Sequence, residues 1–248
     1  MDTVMNCRES IKSEMRKERN NPNRLYKYIP SDYGLDVIRN KRLKVVTVSD
    51  ANDPNEWLPV MLDPETGMDW NSLPEFRGQF RYKWSYSYGF ISFSRKDRDL
   101  LMWGHYADKF RGMVLVFNVV DTSKTIEVTY SQKRFVLDKK VLKSPTEKDF
   151  ENLIAQKDSA WEYEQEYRIL VDLRVCTTKR MANGNTIYLS RFEPTLALSG
   201  VLLGPECTVT MEDILCAFAG RIPRDFSVIR LQSDSETYSL VSVPTIEF

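Results

Sequence analysis

Three glutamates and an arginine recur at every second position in WEYEQEYRILVDL, residues 161–173. In an extended chain Glu162, Glu164, Glu166 and Arg168 share one face, and Trp161, Tyr163, Gln165, Tyr167 and Ile169 share the other. The aromatic and β-branched content predicts a strand rather than a helix. Three like charges on one sheet face repel, and Arg168 offsets one of them. The remainder must face water, meet cations elsewhere in the fold or line a polar cleft. On such a strand the Cα atoms of Glu164 and Glu166 would lie roughly 7 Å apart. That pair suits chemistry at an anomeric carbon, where the transition state resembles an oxocarbenium ion. One carboxylate stabilises that ion or holds a sugar hydroxyl while another handles the proton.

Two further segments carry chemistry-bearing side chains. His105, the only histidine, stands in MWGHYAD and has the type of pKa that suits an acid or base near neutral pH. A lone histidine on an amphipathic helix also serves as a hydrogen-bonded structural residue. Tyr106 beside it offers a hydroxyl or an aromatic face to a ligand. In NDPNE, residues 52–56, Asp53 as N-cap, Pro54 in the first helical position and Glu56 as capping partner meet the rules for a helix start. In a functional role, Asn52 or Asp53 would contact a sugar hydroxyl or hold a loop over a site. No phosphate-binding loop, dinucleotide-fold glycine fingerprint, serine-nucleophile elbow or kinase motif set is present. The commonest nucleotide and hydrolase classes are thereby removed.

The elements that must position these residues point to one α+β domain over residues 24–248, preceded by a charged appendage at 1–23. The periodicities predict a strand at 25–29, a helix over SDYGLDVIRN, a strand at 42–48 and a long loop-rich stretch from 57 to 88. YGFISFS (88–94) is a strand leading into a helix with Leu100, Trp103, Ala107 and Phe110 on one face, opened by Ser94 and Asp97 and closed by Gly112. MVLVFNVV is a buried strand with 126–131 as its neighbour, and residues 145–160 form a helix. LALSGVLLG, a helix over TMEDILCAFAG opened by Thr210 and Asp213, FSVIRLQ and YSLVSV complete a mixed, largely antiparallel sheet flanked by helices. Thirty-five basic and thirty-five acidic residues cancel, so nothing global draws the chain to nucleic acid or an anionic membrane, although a local basic groove is compatible with that balance. The four cysteines, at 7, 176, 207 and 216, include no Cys-x-x-Cys pair, which argues against zinc and structural disulfides. No metal is expected. The absence of a long apolar run or secretion-signal core predicts a cytoplasmic protein with no membrane contact.

Taken together, LYKY at 25–28, NDPNE at 52–56, ISFS at 91–94, LMWGHYAD at 101–108, Tyr130 after an E-V-T strand and WEYEQEYR at 161–168 resemble the bacterial and phage domain-of-unknown-function 2971 family, over about residues 25–205. That name supplies no activity. The chain departs from the usual pattern at Gly104, where serine is common, and at Lys109, Phe110 and Arg111, where a histidine-containing turn often precedes the glycine. The motif order is also remotely similar to the ADP-ribosyltransferase fold. That resemblance makes Lys27 or Tyr26 the counterpart of a first-strand His or Arg, Ser92 or Ser94 of a middle-strand Ser or Tyr, and Glu164 or Glu166 of a late-strand Glu. It implies NAD, bound as a substrate, in a cleft between LYKY, ISFS and the glutamate strand. Glu164, Glu166 and His105 would be catalytic, and Tyr26, Lys27, Asn52, Asp53, Ser92, Ser94, Tyr106 and Arg168 would bind a nucleotide or NAD-like molecule for an undetermined acceptor macromolecule. Two other classes stay open: a magnesium-dependent nuclease using Asp53, Glu56, Glu164 and Glu166, and a noncatalytic ligand-binding or protein-binding module.

Overall fold

The run MVLVFNV forms β4 (Met113–Val119), and its first five residues are all buried, as a strand covered on both faces requires. In the computed structural model, which describes residues 21–47, 50–53, 55–60, 67–69, 86–137, 146–182 and 184–243, β4 lies near the centre of an eight-stranded sheet. It is flanked by β1 (Arg24–Ile29) and β11 (Leu196–Leu203), both antiparallel to it. Outward from β1 follow β3 (Tyr88–Ser94), β8 (Glu166–Asp172) and the short β5 (Ile126–Glu127). Outward from β11 follow β12 (Ser227–Ser233), parallel to it, and β13 (Leu240–Ser242). This is the mixed, mostly antiparallel α+β arrangement that the alternating patterns predict.

Alternation along the strands sends one apolar set to each face. Leu25, Ile91, Leu115 and Phe117 pack with Val37 and Ile38 of α1 (Ser31–Asn40) and Ile214 of α4 (Met211–Ala217). Tyr26, Tyr28, Val114 and Val116 meet Trp103 of α2 (Leu100–Tyr106) on the opposite face. A third cluster joins Trp57 and Phe90 to Phe150, Leu153 and Ile154 of α3 (Glu147–Ile154). Both α3 and α4 open with capping boxes, Thr146 with Asp149 and Thr210 with Asp213, the latter as the sequence predicts.

β3 changes partners along its length. At Ser94 it pairs with Tyr26 of β1, whereas Phe90 exchanges backbone hydrogen bonds with Val46, just beyond β2 (Arg42–Val45). The approach is close enough that a Cβ on Gly89 would sit 2.6 Å from the Val46 carbonyl oxygen. β2 itself belongs to a three-stranded sheet with β10 (Thr186–Arg191) and β9 (Thr177–Arg180). β1 and β2 therefore diverge from β3, and the wedge between them is where the candidate site lies.

Several local expectations are corrected. Residues 161–173 are not one strand: Ser159–Glu164 form a 3₁₀ helix opened by the Asp158 carboxylate, Gln165 has φ 42°, and β8 begins at Glu166. Glu162 consequently turns out to solvent while Glu164 and Glu166 are buried. The described residues of NDPNE start no helix. The Asp53 carboxylate closes a local turn onto the Asn55 amide, and Glu56 reaches across to β8 instead of capping. α2 is capped by Asp99, not by Ser94 and Asp97, and it ends at Tyr106 because Asp108, Lys109 and Phe110 all take positive φ. Residues 126–131 divide into β5, which pairs with β8, and β6 (Thr129–Tyr130), which pairs with β7 (Gln156–Lys157), so they are not neighbours of β4. The helix predicted to run to residue 160 stops at Ile154. The β9 and β10 hairpin was not predicted. The appendage before residue 21 and most of the 57–88 stretch lie outside the described residues. Cys176, Cys207 and Cys216 are unpaired, and among the described residues no helix is long and apolar enough to cross a membrane.

Candidate active site

The break in β8 at Gln165 places two successive glutamates on different elements yet in one chamber. Lys157, the last residue of β7, stands between them, with Nζ 2.6 Å from Glu164 Oε2, 3.1 Å from Glu166 Oε2 and 3.3 Å from Glu56 Oε1. Arg168 donates through Nε and Nη2 to the two oxygens of Glu166, both at 2.8 Å, through Nη1 to the Ile154 carbonyl at 2.8 Å, and through Nη2 to Glu56. Its guanidinium lies 4.2 Å from the Phe90 ring centroid. This fork-on-fork geometry, with every charge paired, is what makes burial of five ionised groups tolerable. The Tyr130 hydroxyl accepts a hydrogen bond from the Glu166 amide at 2.7 Å and holds the start of β8 in place.

Glu164 is bound differently. Tyr106 donates to its Oε1 at 2.6 Å and accepts a hydrogen bond from Asn52 Nδ2 at 2.9 Å, so a polar chain runs from an exposed side chain to a buried carboxylate. Ser94, buried on β3, donates to the Glu164 carbonyl at 2.6 Å and fixes the backbone there. On β1, Lys27 donates to the Ser92 carbonyl at 2.7 Å and the Ser92 hydroxyl at 3.2 Å. It thus occupies the gap where β1 and β3 no longer pair.

These groups line a cavity of about 240 Å³, walled also by Tyr26 and Phe90 and bordered by Asp50 and Val46. Their environments push like groups apart. Burial raises the Glu164 carboxyl above its ordinary value, against the pull of Lys157 and with the push of Glu166. Burial also opposes charge on Glu166, but Arg168 and Lys157 prevail and carry it down to about 2. Burial lowers the Lys27 ammonium to about 8, even though Glu166 and Glu164 attract it. For Lys157 burial works in the same direction, yet the three surrounding glutamates outweigh it and raise the ammonium. Burial and the bond to Glu164 raise the Tyr106 hydroxyl well above its ordinary range, which keeps it a proton donor. Paired carboxylates with opposed shifts are the arrangement in which one serves as acid or base and the other as a fixed anion.

With this geometry established, the comparisons with known proteins bear directly on it. Residues 102–169 match the model of a family described as protein of unknown function (DUF2971). The matched segment carries Tyr106, Lys157, Glu164, Glu166 and Arg168, while Lys27, Asn52, Glu56 and Ser92 come from outside it. No curated protein and no solved structure matches the chain. The resemblance to this family is thus supported over the matched segment, and that to the ADP-ribosyltransferase fold is not.

Of the residues singled out from sequence, Tyr26, Lys27, Asn52, Ser92, Ser94, Tyr106, Glu164, Glu166 and Arg168 converge on the cavity. His105 does not: it is exposed on α2 and outside the lining. Asp53 is buried but borders a second cavity, on the other side of Glu56 and Lys157. Lys157 was missed. Its signal was electrostatic, since Glu164, Glu166 and Arg168 leave a surplus negative charge that a nearby cation must meet, but helical patterning of residues 145–160 concealed it.

Proposed function

We propose that the cavity receives a nucleotide of the NAD type and that Glu164 drives cleavage of its nicotinamide N-glycosidic bond, with water or an acceptor macromolecule as nucleophile. The observation that carries this reading is a buried carboxylate on a cavity wall, its two oxygens fixed by Tyr106 and Lys157. As the bond between ribose C1′ and nicotinamide breaks, positive charge develops on the sugar, and a preorganised carboxylate beside it lowers the barrier. Nicotinamide leaves neutral with the bonding pair. The nucleophile's oxygen bonds to C1′ and its proton passes to Glu164, whose raised pKa makes it a better base than a free glutamate. Lys27 supplies positive charge for a diphosphate or a donor for ribose, and Tyr26 or Tyr106 an aromatic face for nicotinamide. About 240 Å³ suits the nicotinamide riboside half, being below the roughly 300–1,000 Å³ of sites for drug-sized ligands.

A magnesium-dependent nuclease is less well supported. Asp53 closes its own turn, Arg168 engages Glu56 and Glu166, and among the described residues no group of three or more His, Cys, Asp or Glu is placed to hold a metal ion. A noncatalytic module accounts for the Arg168 pairs but gives no reason for Glu164 and Lys27 to border a void.

The deciding experiment measures nicotinamide release from NAD by purified protein, with and without chelator, beside Glu164→Gln. The expected result is release that survives chelation and falls about 100-fold or more in the variant, the usual scale for removing a general base. A folded protein that neither releases nicotinamide nor binds NAD overturns the proposal.

A further inference from the structure

The three-stranded sheet presents a second chemistry. Residues paired across its strands share a face, so Arg42, Lys44, Ile187, Leu189, Lys179 and Arg191 stand on one side, and Leu43 and Val45 point the other way into the core. The first side carries four cations and no acidic residue. Arg42 and Arg191 are direct cross-strand partners, an arrangement of like charges that costs stability in isolation. Neither they nor Lys179 have a carboxylate partner among the described residues, and Lys44 has only Asp50, at 3.6 Å. At the other end of this face, Arg191 also borders a cleft that contains Glu147 and Glu151.

The face is continuous with the cavity. Val46 follows Lys44 on the same side of the chain, pairs with Phe90 and lines the cavity, as does Asp50. Lys44 is near enough to Lys27 to oppose its charge. A ligand spanning both features therefore needs a run of negative charges on a flexible backbone, and at one point a group that reaches the mouth of the cavity beside Val46 and Asp50.

We infer that this sheet face docks single-stranded nucleic acid, its phosphates on Arg42, Lys44 and Lys179 and one unstacked nucleotide directed to the cavity mouth. A single strand meets both demands, because its phosphates repeat along the chain and an unpaired base reaches the cavity mouth without the cost of breaking a duplex. Among the described residues the face carries no aromatic side chain, which assigns it to backbone contact, so recognition there is independent of sequence. The docking does not depend on NAD cleavage. It names the acceptor class that such cleavage would serve.

The test is fluorescence anisotropy with a labelled mixed-sequence 12-nucleotide single strand at several salt concentrations. It compares the full chain with Arg42→Gln/Lys44→Gln, Lys179→Glu and His105→Ala, using a 12-bp duplex and polyglutamate as competitors. The double variant is expected to bind about tenfold or more weakly, and its salt slope to fall by about 1.4, at roughly 0.7 for each phosphate no longer neutralised. Lys179→Glu should weaken binding in the same direction. Binding is measured without NAD, which separates this inference from the catalytic one, and His105→Ala, outside the face and the cavity lining, should bind as the unaltered protein does. The double variant is expected to melt no lower than the parent, since it relieves the Arg42 and Arg191 repulsion. No binding at low salt, binding unchanged by these substitutions, or equal competition by polyglutamate or duplex overturns the inference.

Discussion

Two clusters of buried charge share one chamber, and they are built on opposite principles. Around Arg168, each guanidinium nitrogen finds an oxygen: both oxygens of Glu166, one of Glu56 and the Ile154 carbonyl. Around Glu164 and Lys27, polar groups are held at one side and border a void at the other, Glu164 by Tyr106 and Lys157, Lys27 by Ser92. The first cluster ties the Glu56 turn and the end of α3 to β8. The second leaves a carboxylate with a raised pKa and an amine with a lowered one at the edge of the sheet's fork. Both clusters line the cavity, but the charges that satisfy one another serve the fold, and those left with shifted pKa values serve a ligand.

The sharpest way to break this contrast is to remove the hub of the closed cluster. Arg168→Met strands Glu166 and Glu56 without their main counter-charge and should destabilise the protein by about 3–5 kcal/mol, measured by urea denaturation. Glu164→Gln should do the reverse. It should cost about 100-fold or more in nicotinamide release while shifting the urea midpoint far less than Arg168→Met does, because its amide still accepts from Tyr106.

Acid supplies a further test. The folded-state pKa of Glu166 lies below its unfolded value, so its stabilisation is fully present above the unfolded value of 4.5 and is lost as pH falls toward about 2. Denaturation curves across that window should show this loss, and Glu166→Gln should abolish that part of it. Lys27 is tested through binding rather than stability. Its charge is present below about 8 and disappears above it, so KM for an anionic nucleotide should rise by several-fold from pH 7 to 9 in the parent and stay flat in Lys27→Met. The smallest effect belongs to His105→Ala, which should change stability by less than about 0.5 kcal/mol and leave nicotinamide release unaltered, since the side chain is exposed and outside the lining.

Much of the fold was legible because it rests on local patterns. The helix Ser31–Asn40, the buried run of β4 and the Thr210 capping box follow from short-range periodicity and hydrogen bonding. The β9 and β10 hairpin escaped because its strands are mostly exposed or half-buried and carry little apolar contrast. At the site, the residue types pointed to Glu164, Glu166 and Arg168, but a strict two-residue period implied one continuous strand. The left-handed Gln165 breaks that strand, and no residue pattern announces a non-glycine with positive φ.

The sequence by itself determined the chemical inventory of this protein: a balance of basic and acidic residues, an α+β order of elements, and a cluster of glutamates that requires cations nearby. Which glutamate would be locked by an arginine and which would keep a raised pKa was decided only in three dimensions. Charge states depend on neighbours brought from residues 27, 56, 106 and 157, and burial and Coulomb interaction act through space irrespective of separation along the chain. The same holds for the basic face, whose cations come from three strands and gather only when β2 pairs with β10 and β10 with β9.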